Sequence, residues 1–284
     1  MRWGYFLINK LLEPPILIWI RAVQLLFLLI LSFGIAIPFL GLYADDWPFV
    51  YVYEKAGFMG VVDFISWVRP AAGWLFATAA ALTGTHFWIA HVVLLLLRFI
   101  DALLFYSLLK LLFPSQSRYA FWSAVLFAVF PAFKQQPLAV EYFPHFVILC
   151  LYLASCILMV KVAKAAYTPS YSKKRIYSYL FISWLLCWSM FTVEYFYGQE
   201  FLRPLILWIA MAPVLPEVRK RIKAVFYLWL PYLAVALVFL YWRVFVFKFP
   251  SYQPTLISEL STNFPGEVLV LFTRVIHDLW TAGF

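Results

Sequence analysis

Between Ile16 and Leu40 the chain runs 25 residues with Arg21 as its one charge. At about 1.5 Å per residue that is about 37 Å of helix, longer than the roughly 30 Å hydrocarbon core of a bilayer. A cleaved leader has a shorter apolar core, roughly 7 to 15 residues before a small-residue site, so this run reads as a retained first span. Comparable runs follow at His86–Phe113, Tyr119–Phe133, Tyr142–Val160, Ile176–Val193, Phe201–Leu215, Ala224–Val246 and from Glu267 to the end. The pattern predicts an all-α polytopic membrane bundle of about eight transmembrane helices. Composition closes off the alternatives. The chain is 65% hydrophobic and 12% charged, whereas a soluble domain carries about a quarter charged residues. A transmembrane barrel would show alternating segments of about ten residues rather than continuous runs. Cys150, Cys156 and Cys187 all lie inside apolar runs with no paired spacing, and read as inert core thiols.

One apolar stretch, Arg69–Thr83, has only 15 residues. Charge decides its status. If it stays on one side, 13 of the 22 basic residues, including Lys161–Arg175 and Arg219–Lys223, fall on the side of the N-terminus. If it crosses, those two clusters change sides and the charge bias contradicts itself. Val61–Thr83 is therefore expected to form juxtamembrane helices in a large first outer loop, Gly41–Thr85, broken at Arg69-Pro70 because the residue before proline disfavours helix. The reading is a multi-pass protein of the cell inner (plasma) membrane with a cytoplasmic N-terminus. The +9 formal charge reports this topology and not a nucleic-acid partner, since the basic residues sit in short loops between spans. Nine of the 13 carboxylates lie in the outer loops or at their edge. Carboxylates contribute little to orientation, so that excess calls for another cause.

No dinucleotide, Walker, zinc-protease or hydrolase motif is present. The outer loops carry the candidate chemistry instead. Tyr43-Ala-Asp-Asp-Trp-Pro48 follows the first span directly, and a carboxylate there can take a proton from an attacking hydroxyl, a step worth about 10² to 10⁴ in rate. Asp45 and Asp46 serve equally well as solvated loop residues or as a helix N-cap. Arg69 is a planar, permanently charged fork suited to phosphate. Lys134, Glu141 and His145 crowd the second outer turn and can contact substrate or merely satisfy the loop. Glu194 and Glu200 flank a glycine in the third, where Glu200 and Arg203, three apart, either pair at a helix start or hold substrate. Within the bilayer, Arg98 with Asp101 and Arg274 with Asp278 are expected to neutralise one another, because an unpaired charge at that depth costs roughly 2.5 to 3.5 kcal/mol. The histidines suggest no metal set.

In layout the chain resembles the GT-C superfamily of membrane glycosyltransferases, particularly members similar to bacterial protein O-mannosyltransferases and the lipid A aminoarabinose transferase. The likeness rests on the acidic pair Asp45-Asp46 after the first span, Arg69-Pro70 in juxtamembrane helices, a span ending Phe130-Pro131, and the acidic turn at Glu194. It implies transfer of a sugar from a polyprenyl-phosphate-linked donor to a lipid, glycan or protein acceptor on the non-cytoplasmic face, usually with inversion. Asp45 would be the base, Asp46 would orient the site or touch the acceptor, and Arg69 would stabilise the leaving phosphate. Lys134, Glu141, His145, Glu194, Glu200 and Arg203 complete the set of candidate substrate contacts. No cofactor is expected, and the residues leave a divalent metal an open question. Residues 1–284 read as a single membrane module, and because the superfamily continues through more spans, a chain ending at Phe284 is expected to be cut short at its C-terminal end. The rival readings are a transporter or lipid flippase, suggested by the charges within spans, and a noncatalytic subunit of an envelope complex.

Overall fold

The computed structural model describes residues 15–84, 86–130, 133, 135–167, 172–247 and 261–283. Among them every regular element is helical. The helices are α1 (Pro15–Ser32), α2 (Asp46–Ser66), α3 (Gly73–Thr83), α4 (Phe87–Leu112), α5 (Ser117–Ala128), α6 (Ala139–Ala166), α7 (Lys173–Cys187), α8 (Arg203–Met211), α9 (Val218–Tyr241) and α10 (Phe264–Gly283). Short 3₁₀ segments cover Gly34–Phe39, Trp188–Phe191 and Glu194–Leu202.

Four of these are long and apolar enough to cross a bilayer: Ile16–Phe39, Phe87–Leu112, Ala139–Ala166 and Val218–Val246. They account for four of the eight expected spans. The runs at Tyr119–Phe133, Ile176–Val193 and Phe201–Leu215 form shorter helices, because each is interrupted. Helix α5 stops at Ala128 before Phe130-Pro131, α7 gives way to 3₁₀ geometry at Trp188, and α8 begins only at Arg203-Pro204, with proline accepted in its first turn. Helix α10 has 20 residues but includes Glu267, Arg274 and Asp278. It belongs to a second compact unit, Arg243–Phe284. Within it no ion pair joins Arg274 to Asp278, whose carboxylate lies 3.8 Å from His277 Nδ1 instead.

The first outer loop is mostly helix, and its helices pack into the core. Helix α2 starts at Asp46, well before Val61, and bends at Gly57, whose φ of 70° suits a residue without Cβ. Helix α3, at 11 residues, is too short to cross. Phe76, Ala77 and Ala80 on α3 are fully buried, in one cluster with the buried Val61 and Val62 of α2 and Val140 of α6. The approach is close enough that a Cβ on Gly73 would sit 2.8 Å from the Val62 carbonyl oxygen. Within the bundle α6 is the hub, packing on α3, α4, α7 and α8. It has 61% of its most apolar window buried against 11% for α1. The α1 surface is left to Ile16, Trp19, Val23, Phe27 and Leu31, all exposed. An apolar exposure on that scale suits contact with lipid and not with water.

Candidate functional site

Residues Tyr43–Asp46 form a tight turn in which Asp46 N–H donates to the Tyr43 carbonyl at 2.9 Å and Trp47 N–H to that of Ala44 at 3.3 Å. Ala44 takes φ of 41°, a left-handed conformation that costs a residue with a Cβ and is kept only where the surroundings enforce it. The turn sends the two aspartates opposite ways. Asp46 is fully buried and its carboxylate accepts the backbone N–H groups of Ala139, Val140 and Glu141 at 3.0, 3.0 and 2.9 Å. Those are three of the four donors that the start of α6 leaves without a helical partner. The negative charge also faces the positive end of the helix dipole. Burial pushes the Asp46 carboxyl up to about 6, against the pull of the three backbone donors. Asp46 is thus not a group that can reach a substrate: both oxygens are occupied and none of the residue is exposed. Its expected place among the catalytic residues is corrected to that of a cap, holding the first loop to α6.

Asp45, by contrast, is exposed, and although it precedes α2 its side chain caps no backbone donor. It lies within electrostatic reach of Glu141 and Tyr142 in the first turn of α6. Arg69, in the link between α2 and α3, acts on Glu141 too. Its guanidinium grips Glu194 with two bonds, Nε to Oε2 and Nη2 to Oε1, both 3.2 Å, while Nη2 also donates to the Tyr195 hydroxyl at 3.3 Å. The Tyr195 ring lies 5.5 Å from the guanidinium carbon. Burial works against the Arg69 charge, but the hydrogen bond and attraction to Glu194 outweigh it and raise its pKa. Among the described residues Arg69 Nη1 makes no hydrogen bond. His145 stands one turn beyond Glu141. Since a carbonyl only accepts, His145 Nδ1–H donates to the Glu141 carbonyl at 3.1 Å, which leaves Nε2 as the other ring nitrogen. The imidazole stacks on Tyr195 with centroids 5.7 Å apart and is within electrostatic reach of Arg69 and Glu194.

Five of the expected residues, Asp45, Arg69, Glu141, His145 and Glu194, therefore meet although they span 150 positions of sequence. Beside them is a cavity of about 210 Å³ whose lining includes Tyr142, His145, Phe146, Leu149, Tyr195 and Gln199. A carboxylate open to solvent, a guanidinium with a donor to spare and an aromatic wall can together bind a polar group that carries both hydroxyls and negative charge. Tyr195 and Gln199 were not singled out by sequence. Tyr195 adjoins Glu194 in an aromatic turn, which was the available signal. Lys134 lies outside the described residues.

Glu200 and Arg203 are the second correction. Arg203 is fully buried and Glu200 nearly so. The pair is doubly bonded, Nε to Oε2 and Nη2 to Oε1, the latter at 2.9 Å. Arg203 Nη1 donates to Ser155 Oγ at 3.0 Å, and its guanidinium lies over the rings of Tyr152 and Tyr232. Ser155 and Ser183 bond each other's carbonyls at 2.7 Å, and the Ser183 and Tyr232 hydroxyls are 2.7 Å apart. With all these groups satisfied inside the bundle, neither residue can meet a substrate or reach lipid headgroups. The expected Arg98–Asp101 pair is electrostatic only, with no bond between the two side chains. Arg98 donates to the Ala128 carbonyl at 2.6 Å and to Gln136 Oε1 at 2.9 Å, while both Asp101 oxygens are buried without a hydrogen bond, the Cys150 thiol lying against them. Among the described residues no three His, Cys, Asp or Glu side chains are arranged to hold a metal ion. No family model matches the chain, and comparison with curated proteins and with solved structures yields no match either.

Proposed function

We propose that this chain is a polytopic membrane glycosyltransferase of GT-C type that takes a sugar from a polyprenyl-phosphate donor. The observation that carries the reading is the meeting of Asp45, Arg69, Glu141, His145 and Glu194 at one rim beside an aromatic-walled cavity. In this reading Asp45 accepts the proton of the acceptor hydroxyl as that oxygen bonds to the anomeric carbon. The bond from that carbon to the phosphate oxygen breaks, and the polyprenyl phosphate leaves with its charge met by Arg69 through Nη1. Glu194 holds the fork in orientation, and Glu141 and His145 line the acceptor side. The donor's tail stays in lipid, so no soluble nucleotide domain is needed. The finer topology belongs to the same reading: about eight crossings, a GT-C arrangement, a plasma-membrane location and an N-terminus in the cytoplasm with the rim on the other face. The test is Asp45→Asn in proteoliposomes supplied with a polyprenyl-phosphate sugar. The side chain caps nothing, so the variant should insert and unfold like the parent while losing 10² or more in transfer rate. Undiminished transfer would remove the assignment.

A second reading, an ion-coupled transporter, is favoured by one observation: the Asp101 carboxylate is buried in a spanning helix with neither oxygen hydrogen-bonded. Proton or ion flux into liposomes that Asp101→Asn stops, with no glycosyl transfer, would select it.

A further inference from the structure

Helices α5 and α6 each pack on α4 but hardly touch each other. A furrow of about 400 Å³ is left between them, within the roughly 300–1,000 Å³ of small-ligand sites. Leu126, Phe127 and Phe130 line it from the α5 side and Phe146 and Leu149 from α6, with Phe133 in the link between the two helices. Leu126 is 68% exposed and Phe130 half exposed, so the furrow opens sideways, where lipid would stand. Arg98 of α4 is the one polar side chain among the described residues of the lining, and it is almost wholly buried. Its charge is met within the protein. Nε and Nη1 donate to the Ala128 carbonyl and to Gln136 Oε1, the rings of Phe33 and Phe133 lie 4.2 and 4.6 Å from the guanidinium carbon, and Asp101 is within electrostatic reach. What the furrow offers an occupant is therefore an apolar wall.

The furrow is continuous with the rim. Phe133, Phe146 and Leu149 also line the cavity there, whose other walls include Tyr142, His145 and Tyr195. Helix α6 runs away from the rim, so Phe146 and Leu149 lie about 8 and 12 Å along it from Glu141. An apolar slot within the span thus leads to a polar opening at its end, which is the outline of a lipid with its chain in the slot and its head at the rim. The Asp45 carboxylate acts on Glu141 and Tyr142 at that opening, whereas Arg69 lines neither cavity.

We propose that the furrow between α5 and α6 seats the hydrocarbon chain of the acceptor, which is accordingly a neutral, hydroxyl-bearing membrane lipid and not a glycan or a protein. On the glycosyltransferase reading, on which this assignment rests, the base must meet the acceptor and Arg69 the phosphate of the donor. A chain in the furrow brings its head to Asp45 and not to Arg69, which gives the furrow to the acceptor and leaves the polyprenyl tail to another face. Asp45 and Glu141 together would repel a phosphate at the opening, so the head that fits there is uncharged. A soluble glycan or a polypeptide would reach the rim without using the apolar slot at all.

The test uses the full chain in a neutral detergent with a photoactivatable diacylglycerol whose diazirine is on an acyl chain. Labelling should saturate, map to α5 and α6 peptides around Phe130 and Leu149, and be competed by plain diacylglycerol but not by equal amounts of decaprenyl phosphate or phosphatidic acid. Leu149→Trp, which fills the junction of the two cavities, should cut labelling about tenfold, the scale of an overpacking penalty. Competition by decaprenyl phosphate would give the furrow to the donor's tail, and competition by phosphatidic acid would remove the neutral head. Either of these, labelling elsewhere, or full labelling of Leu149→Trp overturns the proposal. Should Leu149→Trp fail to fold, the map and the competition on the parent chain decide the matter. Labelling needs no transfer, so the two failures separate. Absence of a saturable label while Asp45→Asn still stops transfer removes the lipid acceptor alone. Transfer untouched by Asp45→Asn removes the enzymatic reading, and the acceptor role with it, whatever the label shows.

Discussion

Arg69–Glu194 and Arg203–Glu200 are the same chemical pair in two settings. Each is a guanidinium making two bonds to one carboxylate beside tyrosine rings. The side chains of the first pair are 18% and 28% exposed, and those of the second 0% and 4%. Arg203 Nη1 donates to Ser155, whereas Arg69 Nη1 makes no hydrogen bond among the described residues. Enclosure rather than composition separates a pair that holds the bundle together from one that can bind a ligand. A buried pair must satisfy every lone pair and proton from within the protein, because an uncompensated buried charge costs several kcal/mol. A pair at the rim can leave a donor for whatever arrives.

The comparison breaks most sharply at Arg203. Arg203→Met leaves Glu200 buried without its partner and should cost about 3 to 5 kcal/mol, read as a large fall in the midpoint of thermal unfolding in detergent. Glu200→Gln together with Arg203→Met should recover most of that loss, because the stranded charge is gone. Sugar transfer per folded molecule should hardly change in the double variant, and a loss of transfer without unfolding would return Arg203 to the substrate site.

Next in size is the pH response of Asp46. Its carboxyl lies at about 6 in the fold against an ordinary value of 3.8, so the folded protein holds that proton over a range in which the unfolded chain has released it. The sign follows from the linkage. The contribution is fully present below about pH 4, is lost as pH rises through about 6, and amounts to about 3 kcal/mol. Unfolding midpoints from pH 4 to 8 should show this decline, and Asp46→Asn should flatten it. Asp46→Ala removes the acceptor for three backbone donors and should cost about 2 kcal/mol at any pH in that range. A flat profile in the parent chain would show that the cap stays ionised throughout.

What sequence could reach follows the range of the forces involved. Helices α1, α4, α6 and α9 were legible because an unbroken apolar run is a local property. The apolar runs over the shorter α5, α7 and α8 outrun the helices: α5 and α7 end before Phe130-Pro131 and at Trp188, and α8 starts only at Arg203-Pro204. Adjacent aspartates look alike in sequence. Their division was decided by the start of α6, more than 90 residues away, which presents three free N–H groups to Asp46 and none to Asp45. Spacing of three residues found the Glu200–Arg203 pair but not its depth, which Tyr152, Ser155 and Tyr232 on other helices impose. The same spacing brings Arg98 and Asp101 within electrostatic reach but not into a bond, because Ala128 and Gln136 take the Arg98 donors. The packing of α3 on α2, which depends on the missing Cβ of Gly73, has no local signature.

The smallest effect tests the open side of the comparison. Arg69→Gln removes a partly exposed pair whose bonds are both 3.2 Å, and such pairs are typically worth about 0.2 to 1 kcal/mol. The change in unfolding midpoint should therefore be slight, far below that of Arg203→Met. If Arg69 meets the leaving phosphate, the loss should appear in turnover instead, because charge develops on that oxygen as the bond breaks. Arg69→Lys keeps the charge but not the fork, so it should restore part of the turnover while leaving Glu194 held by one bond at most. A stability loss in Arg69→Gln as large as that in Arg203→Met would mean that the rim pair, despite its exposure, is a second structural clamp.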